Sequence, residues 1–490
     1  MHVPSWNRWS ATVRVDNLER RKAMFIERFF VEGLAHASYL FGKNGEAAIV
    51  DPKRDVDDYL AAAERHGAKI VAIFETHPHA DFVSGHVELA ERTGAPIYVS
   101  ARYPAQFPHR ALQHGEEVRV GGLIVKALDT PGHSPDSMSF YVEDGDDRAV
   151  FSGDILFVGD VGRPDLRDMH SDPRTMAEAL YDTLHEVFWK LPEDTVVWPA
   201  HGAGSLCGRQ LGAAPSTTIG AEKRENWASR FASREAFVEA MLSNLPDRPI
   251  FFRHCPFRNM AGARPLAEVP KPEQIGAEAL RERFADLLIL DTRSVDAYAA
   301  GHLAGSLNVG LQLPVFSTWV GTFVTPDEPL ILVVEKPEDA EKAWLELARI
   351  GYERAVAYLV ADVAAWHAAG LDVREMPQLD PCCVAPWLEG GRTLLDVRTP
   401  AEVSAGRVEG AIWIPLWKLP EQLPEVPAGP VAVMCGTGYR SSIGFSLLER
   451  AGRTAVANVR GGWAAYSQRQ CAEPDSQDLF CRELFDRMSV

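Results

Sequence analysis

The chain has 490 residues, which is too long for one hydrophobic core and predicts about three domains of ordinary size. Hydrophobic residues make up 46% and charged residues 24% of the sequence, as in soluble globular proteins, and no apolar run is long enough to span a bilayer. Lysine and arginine number 50 against 68 aspartate and glutamate residues, and the net charge of −18 argues against a nucleic-acid-binding surface and against binding to anionic lipid.

The cysteines and the first residues bear on the compartment in which the protein works. The seven cysteines have no regular disulfide spacing, which is typical of a reducing compartment where a thiol is kept free or simply buried. Residues 1–23 carry five basic side chains and no apolar segment of a secretory signal. We therefore expect a cytoplasmic protein whose first residues are a disordered extension or a mis-assigned start, with an organellar transit peptide as the third option.

In residues 24–264, short apolar runs alternate with turn signals and helical stretches. Residues 40–51 read as a hairpin around a Lys-Asn-Gly turn, and residues 70–74 are a buried-strand run. Residues 83–93 have the spacing of a helix. Two later strand runs end at Asp154 and near His201, and strand ends at one edge of a sheet are where α/β proteins place their sites.

The run Thr76-His77-Pro78-His79-Ala80-Asp81-Phe82 directly follows the strand run at residues 70–74. It resembles the T-H-x-H-x-D-H signature of the metallo-β-lactamase superfamily, whose hydrolases commonly hold two zinc ions. Phe82 stands where the last histidine would serve the second metal, and its ring has no lone pair to donate. We therefore expect one metal ion, and a mononuclear iron centre rather than binuclear zinc hydrolysis. The alternative is that Phe82 is only a packing residue beneath the site.

Four later segments fit the same superfamily in order: residues 130–135 around His133, residues 152–154, residues 159–165, and residues 199–202 around His201. Of these, residues 159–165 resemble the G-D-V-G-R-x-D stretch of persulfide dioxygenases. In that branch iron is held by two histidines and an aspartate, which carried onto this chain are His77, His133 and Asp154. Two imidazoles and one carboxylate suit Fe(II) and leave positions open for water, dioxygen and substrate.

The resemblance implies further residues around this centre. His79, Asp81 and His201 are expected to orient the ligands or bind water, and His79 is a fourth ligand in the alternative typical of related hydrolases. Arg163 and Cys207 are candidates for a substrate pocket, although Cys207 is equally well explained as a loop cysteine without a role. Zinc is the alternative to Fe(II).

After residues 264–272 the chain repeats itself. Leu-Ile-Leu-Asp-Thr-Arg, ending at Arg293, returns as Leu-Leu-Asp-Val-Arg, ending at Arg398. Asp291 and Asp396 lie 105 residues apart, the size of a small α/β domain, so two tandem domains are indicated. The repeat resembles the rhodanese (sulfurtransferase) fold. The predicted boundaries are 270–375 for the first copy, 380–470 for the second copy and 471–490 for a C-terminal tail.

The second copy carries a loop from Cys435 to Ser442 between an apolar strand and an apolar helix, similar to the rhodanese catalytic loop C-x-x-G-x-R. Backbone N–H groups at such a helix N-terminus favour a thiolate, on which a transferred sulfur would be held as a persulfide. Arg440 is expected to add positive charge beside this anion. The other residues expected to bind sulfur are Gly436, Thr437, Gly438, Tyr439 and Ser441. A buried, inert Cys435 is the alternative.

The first copy lacks this loop. Its apolar run at residues 331–334 is followed by Glu335, an acid where the cysteine should be. A carboxylate cannot carry sulfane sulfur, so we expect this copy to be structural or to serve docking.

The sequence therefore predicts a multidomain α/β protein: an αββα metallo-β-lactamase sandwich followed by two tandem rhodanese-like α/β domains. It resembles multidomain persulfide dioxygenase–sulfurtransferases. That resemblance implies oxidation of a low-molecular-weight thiol persulfide to sulfite with O2 at one Fe(II), coupled to sulfur transfer that forms or uses thiosulfate, in sulfide detoxification. We expect a homo-oligomer with no nucleic-acid or membrane partner.

Two other functions remain open. One is a glyoxalase-II-like thioester hydrolase with an attached sulfurtransferase, and the other is a sulfur-relay or sensor protein that only binds persulfides. The sequence leaves open whether the carrier thiol is glutathione, coenzyme A or another thiol, and in which direction sulfur flows between Cys435 and the metal.

Overall fold

The computed structural model describes residues 23–166, 172–243, 245, 248–469, 471, 481 and 485. Of the predicted extension, only residue 23 is among them, and of the predicted tail only Cys471, Cys481 and Phe485 are. Within these ranges, no helix has both the length and the apolar character needed to cross a membrane.

The first domain holds two mixed sheets. The first sheet runs in the order β1 (Phe25–Val31), β2 (His36–Lys43), β3 (Glu46–Val50), β4 (Lys69–Phe74), β5 (Ile97–Ser100), β6 (Arg110–Leu112). The second contains β7 (Glu117–Val120), β8 (Leu123–Asp129), β9 (Met138–Asp144), β10 (Asp147–Gly153), β11 (Val196–Pro199) and β12 (Thr217–Thr218), also neighbours in sequence order. The hairpin predicted over residues 40–51 is confirmed as β2 and β3, which pair antiparallel.

Helices cover both outer faces of the sheet pair. They are α1 (Asp57–Arg65), α2 (His86–Thr93), α3 (Pro173–Glu186), α4 (Ile219–Glu225), α5 (Arg234–Leu242) and α6 (Cys255–Ala261). The two sheets meet face to face around Phe41, Phe74, Phe140 and Phe151. Strand β2 is buried along almost its whole length, because it has a sheet on one side and helices on the other. The predicted αββα sandwich is confirmed.

The rest of the described chain contains the repeat. The first copy has β13 (Glu273–Gln274), β14 (Leu288–Asp291), β15 (His302–Leu303), β16 (Leu307–Asn308), β17 (Leu330–Val334), β18 (Ala355–Val360), β19 (Val373–Arg374) and helices α7 (Ala277–Arg283), α8 (Val295–Ala300), α9 (Phe316–Phe323), α10 (Pro337–Arg349), α11 (Val363–Ala368). The second has β20 (Gln378–Leu379), β21 (Thr393–Asp396), β22 (Ile412–Trp413), β23 (Val431–Met434), β24 (Val456–Val459) and α12 (Val384–Glu389), α13 (Pro400–Ala405), α14 (Leu419–Gln422), α15 (Tyr439–Arg450), α16 (Gly462–Ser467).

The two copies have the same topology. Their five-stranded parallel sheets run β13-β18-β17-β14-β16 and β20-β24-β23-β21-β22, so each strand has a counterpart at the same place. At the end of β14, Arg293 Nη2 donates to Asp291 Oδ2 at 2.6 Å and to the Gly301 carbonyl at 2.8 Å. Arg398 makes the equivalent bonds at 2.7 and 2.8 Å. The predicted duplication is confirmed, and the shared Asp-x-Arg sequence is a buried structural corner.

The strand register corrects one predicted equivalence. Asp291 pairs with Val333 in the first copy, whereas Asp396 pairs with Met434 in the second. The counterpart of Cys435 is therefore Val334, and Glu335 follows one residue later. The prediction that an acid stands in the cysteine position is wrong, because the sequence alone did not fix the strand pairing. Val334 is fully buried and has no nucleophile, so the first copy still lacks a group that could carry sulfur.

Four cysteines form disulfides, which the sequence did not predict. Cys382 pairs with Cys471, and Cys383 pairs with Cys481. The partners are 89 and 98 residues apart, so no local spacing could reveal them. The expectation that the cysteines are free is wrong for these four, while Cys207, Cys255 and Cys435 are free and buried.

The first copy contacts both other domains. On one side, Arg54 of the sandwich lies 3.0 Å from Glu353, and Arg349 forms a bidentate pair with Asp55 at 2.9 Å. On the other side, α15 of the second copy packs on the loops around β16. There Ser442 Oγ donates to the Asn308 side chain, and Tyr439 donates from its hydroxyl to the Gly310 carbonyl at 3.0 Å.

Candidate metal centre and sulfur-binding loop

The sandwich brings His77, His133 and Asp154 together from three strand ends. His77 lies beyond β4, His133 lies between β8 and β9, and Asp154 directly follows β10. The His77 and His133 Nε2 atoms lie 3.7 and 3.5 Å from Asp154 Oδ2. Each of the three offers one ligand atom, and these atoms all lie within 4.8 Å of one another. The separations are too long for hydrogen bonds but suit donors around one ion.

The protonation states of these groups fit a cation. His77 Nδ1 lies 3.0 Å from Thr76 Oγ1, which leaves Nε2 without a hydrogen-bond partner in the protein. Burial lowers the pKa of His77 and of His133, so both rings are neutral donors. Burial alone would raise the pKa of Asp154, but the surrounding imidazoles, His201 first, hold it well below its usual value. Neutral imidazoles beside an ionised carboxylate are the state in which such groups bind metal.

The three accessory residues predicted from the motif surround this set. His201 Nδ1 lies 2.6 Å from Asp154 Oδ1, and its Nε2 lies 2.7 Å from Asp81 Oδ2. Burial opposes a charge on His201, yet Asp154 and Asp81 outweigh it and raise its pKa. His79 Nε2 lies 3.2 Å from Asp51 Oδ1. The position of His201 between two carboxylates fits the predicted role of orienting a ligand.

His36 lies beside the metal site, which the sequence did not predict. The centroid of its ring lies 3.8 Å from that of Phe82 and 5.5 Å from that of His201. The side chain is completely buried, and neither ring nitrogen hydrogen-bonds within the protein. Phe82 itself is buried against both His36 and His79, so it fills the place beside the histidines with carbon. His36 begins a strand and lies far from the metal motif in the sequence, so no spacing pattern indicated that it belongs to the site.

Cys207 lies at the centre rather than in an outlying loop. Its thiol is fully buried, and burial followed by the charges of Asp81 and Asp154 raises its pKa. Asp81, His201 and Cys207 also form a group whose donor atoms lie within 4.8 Å of one another. The thiol thus stands near the position that Phe82 cannot serve. This geometry favours a role for Cys207 at the centre over the alternative of a loop cysteine without one.

Arg163 differs from the expectation of a side chain open to substrate. Its guanidinium is buried and donates to both carboxylate oxygens of Asp165, at 2.7 and 2.8 Å. Its backbone N–H donates to the Cys207 carbonyl at 2.9 Å. Within this arrangement Arg163 fixes the loop that presents Cys207.

In the second copy, Cys435 lies between β23 and α15 and is fully buried. The backbone N–H of Gly438 donates to its Sγ at 3.1 Å, and Ser441 Oγ lies 3.3 Å from the same sulfur. Gly438 has a φ of 104°, a left-handed conformation that turns its N–H towards the sulfur at little cost because it has no Cβ. Gly436 and Thr437 form the intervening turn. The loop therefore surrounds the sulfur with donors, as the motif predicts.

Arg440 makes a contact that the motif did not predict. Its Nη1 and Nη2 donate to the two oxygens of Glu402 at 2.7 and 2.6 Å. The charge of Cys435 also acts on the guanidinium, so Glu402 is a second partner of Arg440 beside the sulfur. Glu402 closes a capping box with Thr399, and the sequence Thr-Pro-Ala-Glu is a visible signal for that motif.

Comparisons with known proteins agree with this architecture. The model of the metallo-beta-lactamase superfamily matches residues 31–201, and that of the rhodanese-like domain matches residues 276–369 and 384–469. The solved structure of a metallo-beta-lactamase from Staphylococcus aureus subsp. aureus COL is similar to this chain, with 33% identity and a TM-score of 0.64, covering 69% of this chain and 99% of that one.

Two further relatives each match about half of the chain or less. The structure of ETHE1 from Myxococcus xanthus has 33% identity to this chain and a TM-score of 0.43, and the match covers 49% of this chain and 100% of that one. A hydroxyacylglutathione hydrolase of Synechococcus sp. (strain JA-2-3B'a(2-13)) is 37% identical over 158 residues, which are 32% of this chain and 58% of that protein.

Proposed function

The chain belongs to the metallo-β-lactamase superfamily and carries two rhodanese-like domains, and on that premise we propose that it is a persulfide dioxygenase coupled to a sulfurtransferase. The observation that carries the proposal is the convergence of His77, His133 and Asp154 beside Phe82, in a chain that also holds Cys435 in a loop of sulfur-directed donors. The proposed overall reaction is R-S-SH + O2 + H2O → R-SH + SO3²⁻ + 2 H⁺. It would serve sulfide detoxification.

The two histidines and the aspartate would hold a single Fe(II). When bound, that ion supplies the redox-active, partly open coordination that dioxygen chemistry needs. His201 keeps Asp154 ionised and oriented through its 2.6 Å contact, and Phe82 excludes water from the adjoining position. The Cys207 thiol lies close enough to meet a persulfide at the same place, so its loop, held by Arg163, is the proposed wall of the substrate pocket.

Cys435 would exchange sulfane sulfur with the same pool. Its thiolate would attack the outer sulfur of a donor, the S–S bond of the donor would break, and the leaving group would depart with the electron pair. With thiosulfate this reads Cys-S⁻ + S2O3²⁻ → Cys-S-S⁻ + SO3²⁻, and the reverse reaction would turn sulfite into thiosulfate. The N–H of Gly438 and the hydroxyl of Ser441 would stabilise the anion in both states.

A thioester hydrolase with an attached sulfurtransferase is the second candidate. It is favoured by the 37% identity to a hydroxyacylglutathione hydrolase and by the donor group Asp81, His201 and Cys207, which offers a further cation position despite Phe82. A hydrolase gains from a second cation that activates water. Zinc would then replace iron.

We further propose a cytoplasmic, homo-oligomeric enzyme. A Cys435 thiol that must stay reduced argues for the cytoplasm, whereas the two disulfides at the second copy are the observation against it. Alkylation of free thiols during cell lysis, followed by peptide mass spectrometry, decides between them. Sedimentation analysis of the intact protein tests the oligomer.

The proposed function is tested on protein purified without oxygen. We expect about one iron ion per chain and consumption of O2 with sulfite production when glutathione persulfide or coenzyme A persulfide is added. The faster of these two persulfides would also identify the carrier thiol. Two tightly bound zinc ions, with hydrolysis of a glutathione thioester and no O2 uptake, would establish the hydrolase instead.

A further inference from the structure

The pair between Glu402 and Arg440 covers the sulfur-binding loop. A Cβ atom built on Gly436, the residue after Cys435, would lie 3.0 Å from Arg440 Nη2 and 3.2 Å from Glu402 Oε1. The pair therefore lies directly over the loop, at its edge towards solvent, with 19% of the Arg440 side chain and 36% of the Glu402 side chain exposed. Arg440 also lies close enough to Cys435 to interact with its charge, so a donor bound at that sulfur comes near both side chains.

Glu402 stays charged over the whole physiological range. Burial by itself would raise its pKa, but hydrogen bonds from Arg440 and Thr399 outweigh this and hold the pKa at about 2. The guanidinium of Arg440 is therefore matched by a full negative charge in a bidentate geometry. The same fork of N–H donors is the one that a sulfonate or sulfate group would bind.

The first copy acts as an internal control for what the fold itself requires. Asp291 and Arg293 form the same corner as Asp396 and Arg398, and Ser294 caps α8 just as Thr399 caps α13. The residue in the position of Glu402 is Ala297. The fold and the helix cap therefore do not need the carboxylate.

The partner of the carboxylate is missing from the first copy as well. There the segment from Glu335 to Asp339 replaces the sulfur loop and the start of α15, and it contains no arginine. The nucleophile, the arginine and the glutamate are thus absent together from the copy that carries no sulfur chemistry. This links Glu402 to that chemistry, beyond what it adds to the stability of the fold.

We propose that Glu402 is a specificity-determining residue of the Cys435 site, and that its carboxylate occupies the oxyanion-binding face of Arg440 and so disfavours dianionic donors such as thiosulfate against alkyl persulfides. The inference rests on the proposed sulfurtransferase function. Thiosulfate brings its sulfonate oxygens to Arg440 and must displace Glu402. An alkyl persulfide reacts as Cys-S⁻ + R-S-SH → Cys-S-SH + R-S⁻ and has no oxyanion to place there.

The test compares two sulfur donors with the full-length Glu402→Gln variant. Glutamine keeps the size and an oxygen that accepts from Thr399, but it removes the charge that competes for Arg440. We expect the KM for thiosulfate to fall about tenfold, equivalent to about 1.4 kcal/mol, with kcat almost unchanged. The KM for glutathione persulfide should stay within about twofold, and inhibition by sulfate should strengthen in parallel.

A matched control removes the same charge elsewhere in the domain. Glu409 is exposed, and Glu409→Gln should leave the ratio of the two donors unchanged. Unchanged thiosulfate KM in Glu402→Gln, or an equal loss of kcat with both donors, would overturn the proposal in favour of a structural role. If Glu402→Gln does not fold, Glu402→Asp replaces it, because the shorter side chain moves the carboxylate away from Arg440. We then expect a smaller fall in the KM for thiosulfate.

A second measurement does not depend on turnover. Alkylation of Cys435 by iodoacetamide, followed at the peptide level, should be slowed by sulfate at lower concentrations in Glu402→Gln than in the original protein. If the protein transfers no sulfur from either donor, the proposed sulfurtransferase function fails. The protection of Cys435 by sulfate still tests whether the Glu402 carboxylate competes for Arg440. Equal protection in both proteins would refute the role of Glu402 on its own.

Discussion

Replacement of Glu353 by glutamine removes the carboxylate on which three arginines of the sandwich converge. Arg54 Nη2 lies 3.0 Å from Oε1, and Arg258 and Arg264 lie 2.9 and 2.8 Å from Oε2. The Arg54 side chain is 0% exposed and that of Glu353 is 6% exposed, so this contact between the sandwich and the first copy is a buried ion pair. Burial lowers the pKa of Arg54, and the charge of Glu353 acts in the opposite direction by favouring the charged guanidinium.

The magnitude follows from that burial. Removing one partner of a buried pair typically costs about 3–5 kcal/mol, because the other charge is left without compensation. Arg258 and Arg264 are 36% and 44% exposed and can be solvated, so most of the cost comes from Arg54. We expect Glu353→Gln to lower the free energy of the unfolding step that separates the sandwich from the first copy by an amount in this range.

Equilibrium urea unfolding, followed by tryptophan fluorescence and by far-ultraviolet circular dichroism, measures this loss. The control is Asp57→Asn, which breaks an exposed pair with Arg92 whose side chains are 84% and 41% exposed. That change should cost about 0.2–1 kcal/mol. A loss in Glu353→Gln no larger than in the control would refute the argument that a buried pair joins the two domains.

Three further outcomes are expected. Asp154→Ala should strip the iron and abolish O2 uptake, because two imidazoles alone form a poor Fe(II) site, and metal analysis checks this. Cys435→Ser should eliminate transfer of sulfur from thiosulfate to cyanide but leave oxidation of free persulfide intact, since a hydroxyl forms no persulfide; equal loss of both would show that all substrate passes through Cys435. The depressed pKa of Glu402, about 2 against 4.5, stabilises the fold above pH 4.5, and this contribution is lost as the pH falls towards 2. Between pH 4.5 and about 2, the free energy of unfolding should therefore fall more in the original protein than in Glu402→Gln, which denaturant unfolding at each pH measures.

The sequence predicted those features that repeat or that belong to a recognisable motif. The two parallel sheets follow from apolar strands that end in the same Asp-x-Arg corner, because the buried bonds of Arg293 and Arg398 require that corner in both copies. The grouping of His77, His133 and Asp154 was implied by the resemblance of their segments to persulfide dioxygenases, and in the structure all three lie in loops that follow strands.

Features that depend on distant contacts were not predictable. The disulfide partners of Cys382 and Cys383 come from the C-terminal tail. His36 reaches Phe82 because the strand pairing of the first sheet puts the start of β2 and the end of β4 at the same edge of that sheet. The error at Glu335 has a different origin. Apolar strands of equal length can be aligned in more than one register, and only the pairing of Asp291 with Val333 decides which residue matches Cys435.

The contact between the two copies is made by the same helix that begins at the sulfur-binding loop. Besides the hydrogen bond between Ser442 and Asn308, Glu449 of α15 lies buried 3.3 Å from His302, and Phe445 packs against the His302 ring. Ser441, which contacts the Cys435 sulfur, directly precedes Ser442, which contacts the first copy. The first copy therefore supports the start of α15, and through it the loop that would hold the sulfur.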